Sequence, residues 1–150
     1  MYKFLTILIL IILSIEAESQ EKVFTNKEGV ALSGYDLVAY HMAHEAIRGS
    51  AEYTAEHQGV NYYFNNAAHR EAFLQSPEAY LPKFGGYCAF AMAMQGTAVP
   101  SDPRTFKLYN GELYLFYNDY YQGKPFNTII PWNQDESKLL SQARENWKKL

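Results

Sequence analysis

The chain has 150 residues, 48% of them hydrophobic and 19% charged, a balance that suits one globular domain and excludes both a disordered chain and a two-domain one. A net charge of −3 at pH 7, with no run of Lys and Arg, leaves a nucleic-acid partner without electrostatic support. Aromatic residues reach 16%, chiefly 13 Tyr and 9 Phe, so even a short chain can bury a substantial core.

Lys3 precedes an apolar run over residues 4–15, followed by Ala17-Glu18-Ser19. This is a charged start, a short apolar stretch and a small-x-small cleavage site, and it reads as a signal peptide over residues 1–19. The run is shorter than the roughly 20 residues a membrane span needs. No cysteine follows it, so a lipid anchor is not expected. The mature chain, residues 20–150, is expected to be exported, periplasmic or secreted, and not membrane-spanning.

Gly34-Tyr35-Asp36 predicts a turn and residues 37–40 a short extended segment. Arg48-Gly49-Ser50 is a second turn. Residues 51–57 and 60–64 alternate as strands around Gln58-Gly59, which predicts a hairpin. Asn65 or Asn66 caps a helix over residues 67–75, ended by Ser76-Pro77, and Pro77 opens a short further turn. After Gly85-Gly86, residues 87–95 are rich in Ala and Met and predict a helix, although their alternation also permits a strand. Asn110-Gly111 between residues 105–109 and 112–117 is a strong hairpin signal. Residues 119–130 read as partly helical up to a break at Pro131. Asn133 or Asp135 then caps a last helix running through Lys149. Strands joined as hairpins and mixed with helices predict a small single α+β domain, antiparallel hairpins packed with several helices and closed by a C-terminal helix.

Cys88 is the only cysteine. An exported chain with one thiol has no internal disulfide, so that thiol is expected to be buried, metal-bound or chemically active. It follows two glycines at a helix start, where backbone N–H groups favour a thiolate. Met92 lies four residues on, on the same face in either a helix or a strand, and thiolate plus thioether suits Cu(I). Against this stand a buried small hydrophobe for Cys88 and core packing for Met92. His41 and His44, three apart, share a face if helical and form a second metal-like pair, or else two solvated imidazoles. His57 and His69 read as a strand end and a solvated helix face. Asp36 reads as a turn stabiliser, with capping or orienting a histidine as its alternatives. Tyr35, Tyr40, Tyr62, Tyr63, Tyr87 and Phe90 read as core or as the lining of a cleft around Cys88. No nucleophile triad, nucleotide loop or paired-carboxylate spacing stands out.

Four stretches together resemble the exported YHS-domain (seleno)protein family. They are Gly34-Tyr35-Asp36-Leu37-Val38-Ala39-Tyr40, Gly49-Ser50-Ala51-Glu52-Tyr53, Gly59-Val60-Asn61-Tyr62-Tyr63-Phe64 with Phe73, Pro77 and Tyr80, and Gly85-Gly86-Tyr87-Cys88-Ala89-Phe90. The resemblance covers roughly residues 30–120, with residues 120–150 a looser helical extension. It implies a compact domain built on a hairpin and the helix after it. YHS modules accompany copper-transporting ATPases and some oxygenases, which implies binding of a soft or transition metal. The selenoprotein label implies a position where sulfur or selenium acts, and Cys88 is the candidate. The family's usual thiolate pair is absent, since Asn65 follows Phe64 and Ala68 and His69 lie beyond.

The leading expectation is therefore a metal carrier or sensor rather than a catalyst. It would hold a metal ion, copper favoured, through Cys88 with His41, Met92 and His44 as helpers. The alternatives are a thiol redox protein using Cys88, and a module binding a non-metal small ligand or a partner with Cys88 structural.

Overall fold

The computed structural model describes residues 22–150; the leader expected over residues 1–19 lies outside them. The elements run α1 (Leu37–Met42), β1 (Ser50–His57), β2 (Val60–Phe64), α2 (Ala67–Gln75), α3 (Ala89–Gln95), β3 (Asp102–Tyr109), β4 (Glu112–Phe116), β5 (Asn118–Tyr121), β6 (Lys124–Asn127), α4 (Ile129–Trp132) and α5 (Glu136–Trp147), with one short turn of 3-10 helix before α1 and two between α2 and α3. The strands pair only as antiparallel hairpins, β1–β2, β3–β4 and β5–β6. The domain is α+β, as the element order predicted. Among the described residues no helix is long and apolar enough to cross a membrane.

All three hairpins turn on a residue followed by glycine, both at positive φ: Gln58-Gly59, Asn110-Gly111 and Gln122-Gly123. Two-residue turns of this hand match the twist of the flanking strands. The third corrects the expectation of partial helix over residues 119–130. Tyr120 and Tyr121 favour strand, and β5 pairs with β6 from Asn118↔Asn127 to Tyr121↔Lys124. Pro131 does not break a helix there. It sits inside the four-residue α4, in a first turn where its missing N–H costs nothing.

β4 divides the interior. Its side chains alternate, so Leu113 and Leu115 enter one core while Tyr114 and Phe116 enter another. The first core gathers Leu37, Val38 and Tyr40 of α1, Tyr62 and Phe64 of β2, and Phe73 of α2. Phe73 lies 5.0 Å, centroid to centroid, from both Tyr62 and Phe64. The second gathers Ala89, Met92 and Ala93 of α3, Trp132, and Leu139, Leu140 and Ala143 of α5. Each large side chain so buried stabilises the fold by about 1.5–3 kcal/mol. α5 also closes the end of α3, where the Asn146 amide donates to the carbonyls of Met92 (2.9 Å) and Ala93 (3.1 Å). Met92 C=O also accepts from Gly96 N–H at 3.1 Å, so the amide adds a second bond there and gives the Ala93 carbonyl of the final turn its partner.

Residues 37–40 are helical, not extended. Asp36 caps α1, its Oδ1 accepting from Val38 N–H (2.9 Å) and Ala39 N–H (3.1 Å). All four residues are buried, so no amphipathic period was available to reveal the helix.

Three of the four sequence stretches singled out above meet at one junction. Gly49 N–H donates to Gly34 C=O at 2.8 Å, and Asp36 N–H to Ile47 C=O at 2.8 Å. The Gly49 backbone lies against that of Tyr63 and Phe64 so closely that a β-carbon there would sit 2.4 Å from the Tyr63 carbonyl carbon. From the next residue along, Asn65 N–H donates to Asp36 Oδ2 at 2.8 Å. The first three stretches of the resemblance thus fasten α1 to the β1–β2 hairpin.

Candidate ligand-binding cleft

Cys88 is 0% exposed and forms the N-cap of α3. Its backbone N–H donates to Val99 C=O at 2.8 Å, and its sulfur accepts from Ala91 N–H at 3.5 Å. The sulfur also lies 3.4 Å from Thr128 Oγ1. Thr128 donates its only hydroxyl hydrogen to Tyr117 C=O at 2.9 Å. The threonine oxygen therefore accepts, and the cysteine S–H donates. A protonated thiol satisfies every group in this chain of bonds, whereas a thiolate would require Thr128 to turn away from Tyr117.

The expected helpers lie elsewhere. Met92 is fully buried in the second core among Phe84, Tyr114 and Trp132. His41 lies on α1 with its ring edge-on to Tyr80, centroids 5.4 Å apart, and its Nε2 is buried without a hydrogen-bond partner. Burial pushes its imidazole below the ordinary value and the His44 charge adds to this, against a bond with the Tyr80 backbone. α1 ends at Met42 and His44 takes a left-handed conformation at φ 55°, so the two histidines do not share a helical face. Among the described residues, no hydrogen bond joins the Cys88 sulfur to His41, His44 or Met92, and no group of three or more His, Cys, Asp and Glu could hold a metal ion.

His69 is not a solvated residue. Its Nδ1 lies 2.7 Å from Asp36 Oδ2, and its side chain is 20% exposed beside a carboxylate that is 0% exposed. Asp36 caps a helix and orients a histidine at once. Two of the readings left open for it are both realised.

A separate cavity is walled mainly by α5, away from Cys88. It is a cleft of about 720 Å³ between α5, the turn at residues 81–84 and the tip of the β3–β4 hairpin. That volume falls in the usual range for small-molecule sites, about 300–1,000 Å³. Ser137, Ser141, Arg144 and Lys148 form a polar stripe along one face of α5. Leu81, Phe84, Tyr109, Leu140 and Trp147 supply apolar walls. No cysteine, histidine or methionine lines it. Nothing in the sequence pattern marked this cleft. Its signal was the hydroxyl–hydroxyl–guanidinium–ammonium spacing along α5, visible only once that face was known to be uncovered.

At its base Glu112 is shared by two cations. Lys83 Nζ lies 2.8 Å from Oε1 and Arg144 Nη2 lies 3.0 Å from Oε2, while the Tyr114 hydroxyl also donates to Oε2. Partial burial would raise the Glu112 carboxyl, but the bonds from Lys83 and Tyr114 and the charges of Lys83 and Arg144 outweigh it and hold it below 4.5. Burial and the Glu112 bond push the Tyr114 phenol up to about 12. A carboxylate lowered in the folded state contributes stability above its unfolded value and loses it as pH falls through the folded one. Urea midpoints measured from about pH 6 down to about pH 3 are therefore expected to fall, and to fall less steeply in Glu112→Gln. Asp102, lowered by Arg104 and Thr105 against its own burial, acts in the same window, so the slope difference between the two proteins is the measurement. Equal slopes would remove the claim for Glu112.

No family model, curated protein or solved structure matches this chain.

Proposed function

We propose that this protein is a small-ligand-binding module whose site is the α5 cleft and whose single cysteine is structural. The observation that carries this reading is the contrast between the two places. The Cys88 sulfur is enclosed with donor and acceptor both satisfied, while the cleft is open, about 720 Å³ and lined by free hydroxyls beside aromatic walls. Sites of this kind combine apolar walls with a few convergent polar groups. The proposal keeps the leader reading of residues 1–19, with export to the periplasm or outside the cell. It also keeps kinship with the exported YHS-domain proteins, whose shared residues here serve the junction between α1 and the first hairpin.

Two measurements test it. Iodoacetamide is expected to leave folded wild-type protein unmodified and to alkylate it in denaturant, because thiol reactivity requires exposure. Cu(I) titration with a competing chelator is expected to give the same weak binding in wild type and Cys88→Ser. A one-to-one Cu(I) complex lost in that variant would restore the metal-carrier reading, and rapid alkylation of the folded protein the redox reading. For the cleft, ligand-observed NMR with phenylacetate, phenylacetamide and phenethylamine is expected to detect binding of at least one. Ser141→Trp, which fills the cleft from the solvent side of α5, is expected to abolish that signal. Binding of none of the three would overturn the assignment of the cleft.

A further inference from the structure

The charge arrangement at the base of the cleft selects among ligands, and from it we infer that the cleft takes a small organic anion with a flat apolar body, a monocarboxylate being the simplest case. The inference rests on the cleft being the binding site. Three cations and two carboxylates line it: Lys83, Arg144 and Lys148 against Glu78 and Glu145. Lys148 and Glu145 pair with each other at 2.9 Å across one turn of α5 and cancel. Glu78 faces His57, 3.6 Å away, and its side chain is 73% exposed, so water screens it. Lys83 and Arg144 remain, and they share the one carboxylate of Glu112. Around Glu112 the two cations therefore exceed their shared carboxylate by one charge, and the balancing charge, Glu78, lies out at the exposed rim.

Arg144 is placed to use that charge. Both of its protein bonds, to Glu112 and to the Tyr114 hydroxyl, leave through Nη2. Its Nε and Nη1 make no hydrogen bond among the described residues, and the side chain is 53% exposed within the cleft lining. A guanidinium with free N–H groups meets a carboxylate with directed, charge-assisted bonds. Ser137 and Ser141, one turn apart on α5, have hydroxyls that make no hydrogen bond among the described residues and can donate to the same ligand. Phe84, Tyr109 and Trp147 form the part of the wall against which an aromatic or flat aliphatic body would lie. Glu112 fixes the two cations in advance, so the ligand need not order them.

The test uses the same three phenyl compounds, which share a body and differ in charge, measured by isothermal titration calorimetry on the mature chain. Phenylacetate is expected to bind about tenfold or more tightly than phenylacetamide, and phenethylamine more weakly still, the ratio a charge-assisted pair provides over a neutral one. Arg144→Gln is expected to remove most of the acid's advantage over the amide, weakening phenylacetate far more than phenylacetamide. Raising the salt concentration is expected to weaken the acid and not the amide. If the amide or the amine binds as tightly as the acid, the anion inference fails while the cleft assignment stands. If none binds, both fail together.

Discussion

Asp36→Ala is expected to destabilise the domain by about 3–5 kcal/mol, the range found when one partner of a buried charged or hydrogen-bonded pair is removed. Asp36 is 0% exposed and accepts four bonds: Oδ1 from Val38 and Ala39 N–H, Oδ2 from Asn65 N–H and from His69. Alanine leaves the buried Val38 and Ala39 N–H groups and the part-buried Asn65 N–H without their acceptor, and each unsatisfied buried donor costs about 1–3 kcal/mol. It also loosens three elements at once, because those bonds hold the start of α1, the exit from β2 and the first turn of α2. Asp36→Asn separates the contributions. The amide oxygen can still cap α1, but its NH₂ group faces the Asn65 N–H, donor against donor, so this variant is expected to fall between wild type and alanine. His69→Ala removes one bond at a half-buried residue and is expected to cost the least of the three. Urea denaturation near neutral pH measures all three. A loss below about 1 kcal/mol for Asp36→Ala, the size of an ordinary helix cap, would reduce the residue to a cap.

This aspartate also shows where sequence reading stops. A turn near Gly34 was legible because Gly favours turns, but it lies over Leu32–Gly34 rather than Gly34-Tyr35-Asp36, whose last two residues are extended. That the Asp36 carboxylate holds His69 was not legible, since 33 residues separate the two and no local pattern encodes the contact. α2 was read to its ends because Asn66 caps it, accepting from His69 N–H at 2.8 Å, and Ser76-Pro77 stops it. α1 was missed because its buried residues look like a strand when only apolar character is counted. The hairpin at Gln122-Gly123 was missed although it has the same conformation as Gln58-Gly59, which was read. The difference lay in the flanks. Residues 60–64 are buried in alternation, whereas β5 is exposed throughout and offers no period. For the site, the sequence located Cys88 at a helix start, and Cys88 is indeed the N-cap of α3. The hydroxyl that meets its enclosed sulfur belongs to Thr128, 40 residues away. Whether a cysteine is reactive depends on such distant partners, and a single sequence holds little trace of them.

Gly49→Ala is expected to be severely damaging for so small a change, at about 3 kcal/mol or more, because overpacking against atoms that cannot yield exceeds the usual cost of an added methyl. The reason is not backbone conformation. Gly49 does not lie in the left-handed region, and any residue could adopt its φ. A β-carbon there would stand 2.4 Å from Tyr63 C, 2.5 Å from Tyr63 O and 2.6 Å from Phe64 N, all backbone atoms of β2. No side chain can rotate aside. Either the strand moves by about an ångström, or Gly49 does and its 2.8 Å bond to Gly34 C=O is lost. Both movements reach Asn65 and so the Asp36 cluster, which makes the junction a single cooperative unit. Gly123→Ala provides the comparison. Gly123 has φ 77° and nothing within 4 Å of its would-be β-carbon, so its cost is the left-handed conformation alone, about 1–2 kcal/mol. If Gly49→Ala proves no worse than Gly123→Ala in urea, the β1–β2 hairpin has room that the packing denies. If it is worse and Asp36→Ala adds little further loss in the double variant, the two residues support the same contact, since neighbours that share partners are not additive. The Gly-Ser-Ala-Glu-Tyr stretch would then owe its pattern to the approach of two backbones, with no part in the cleft proposed along α5.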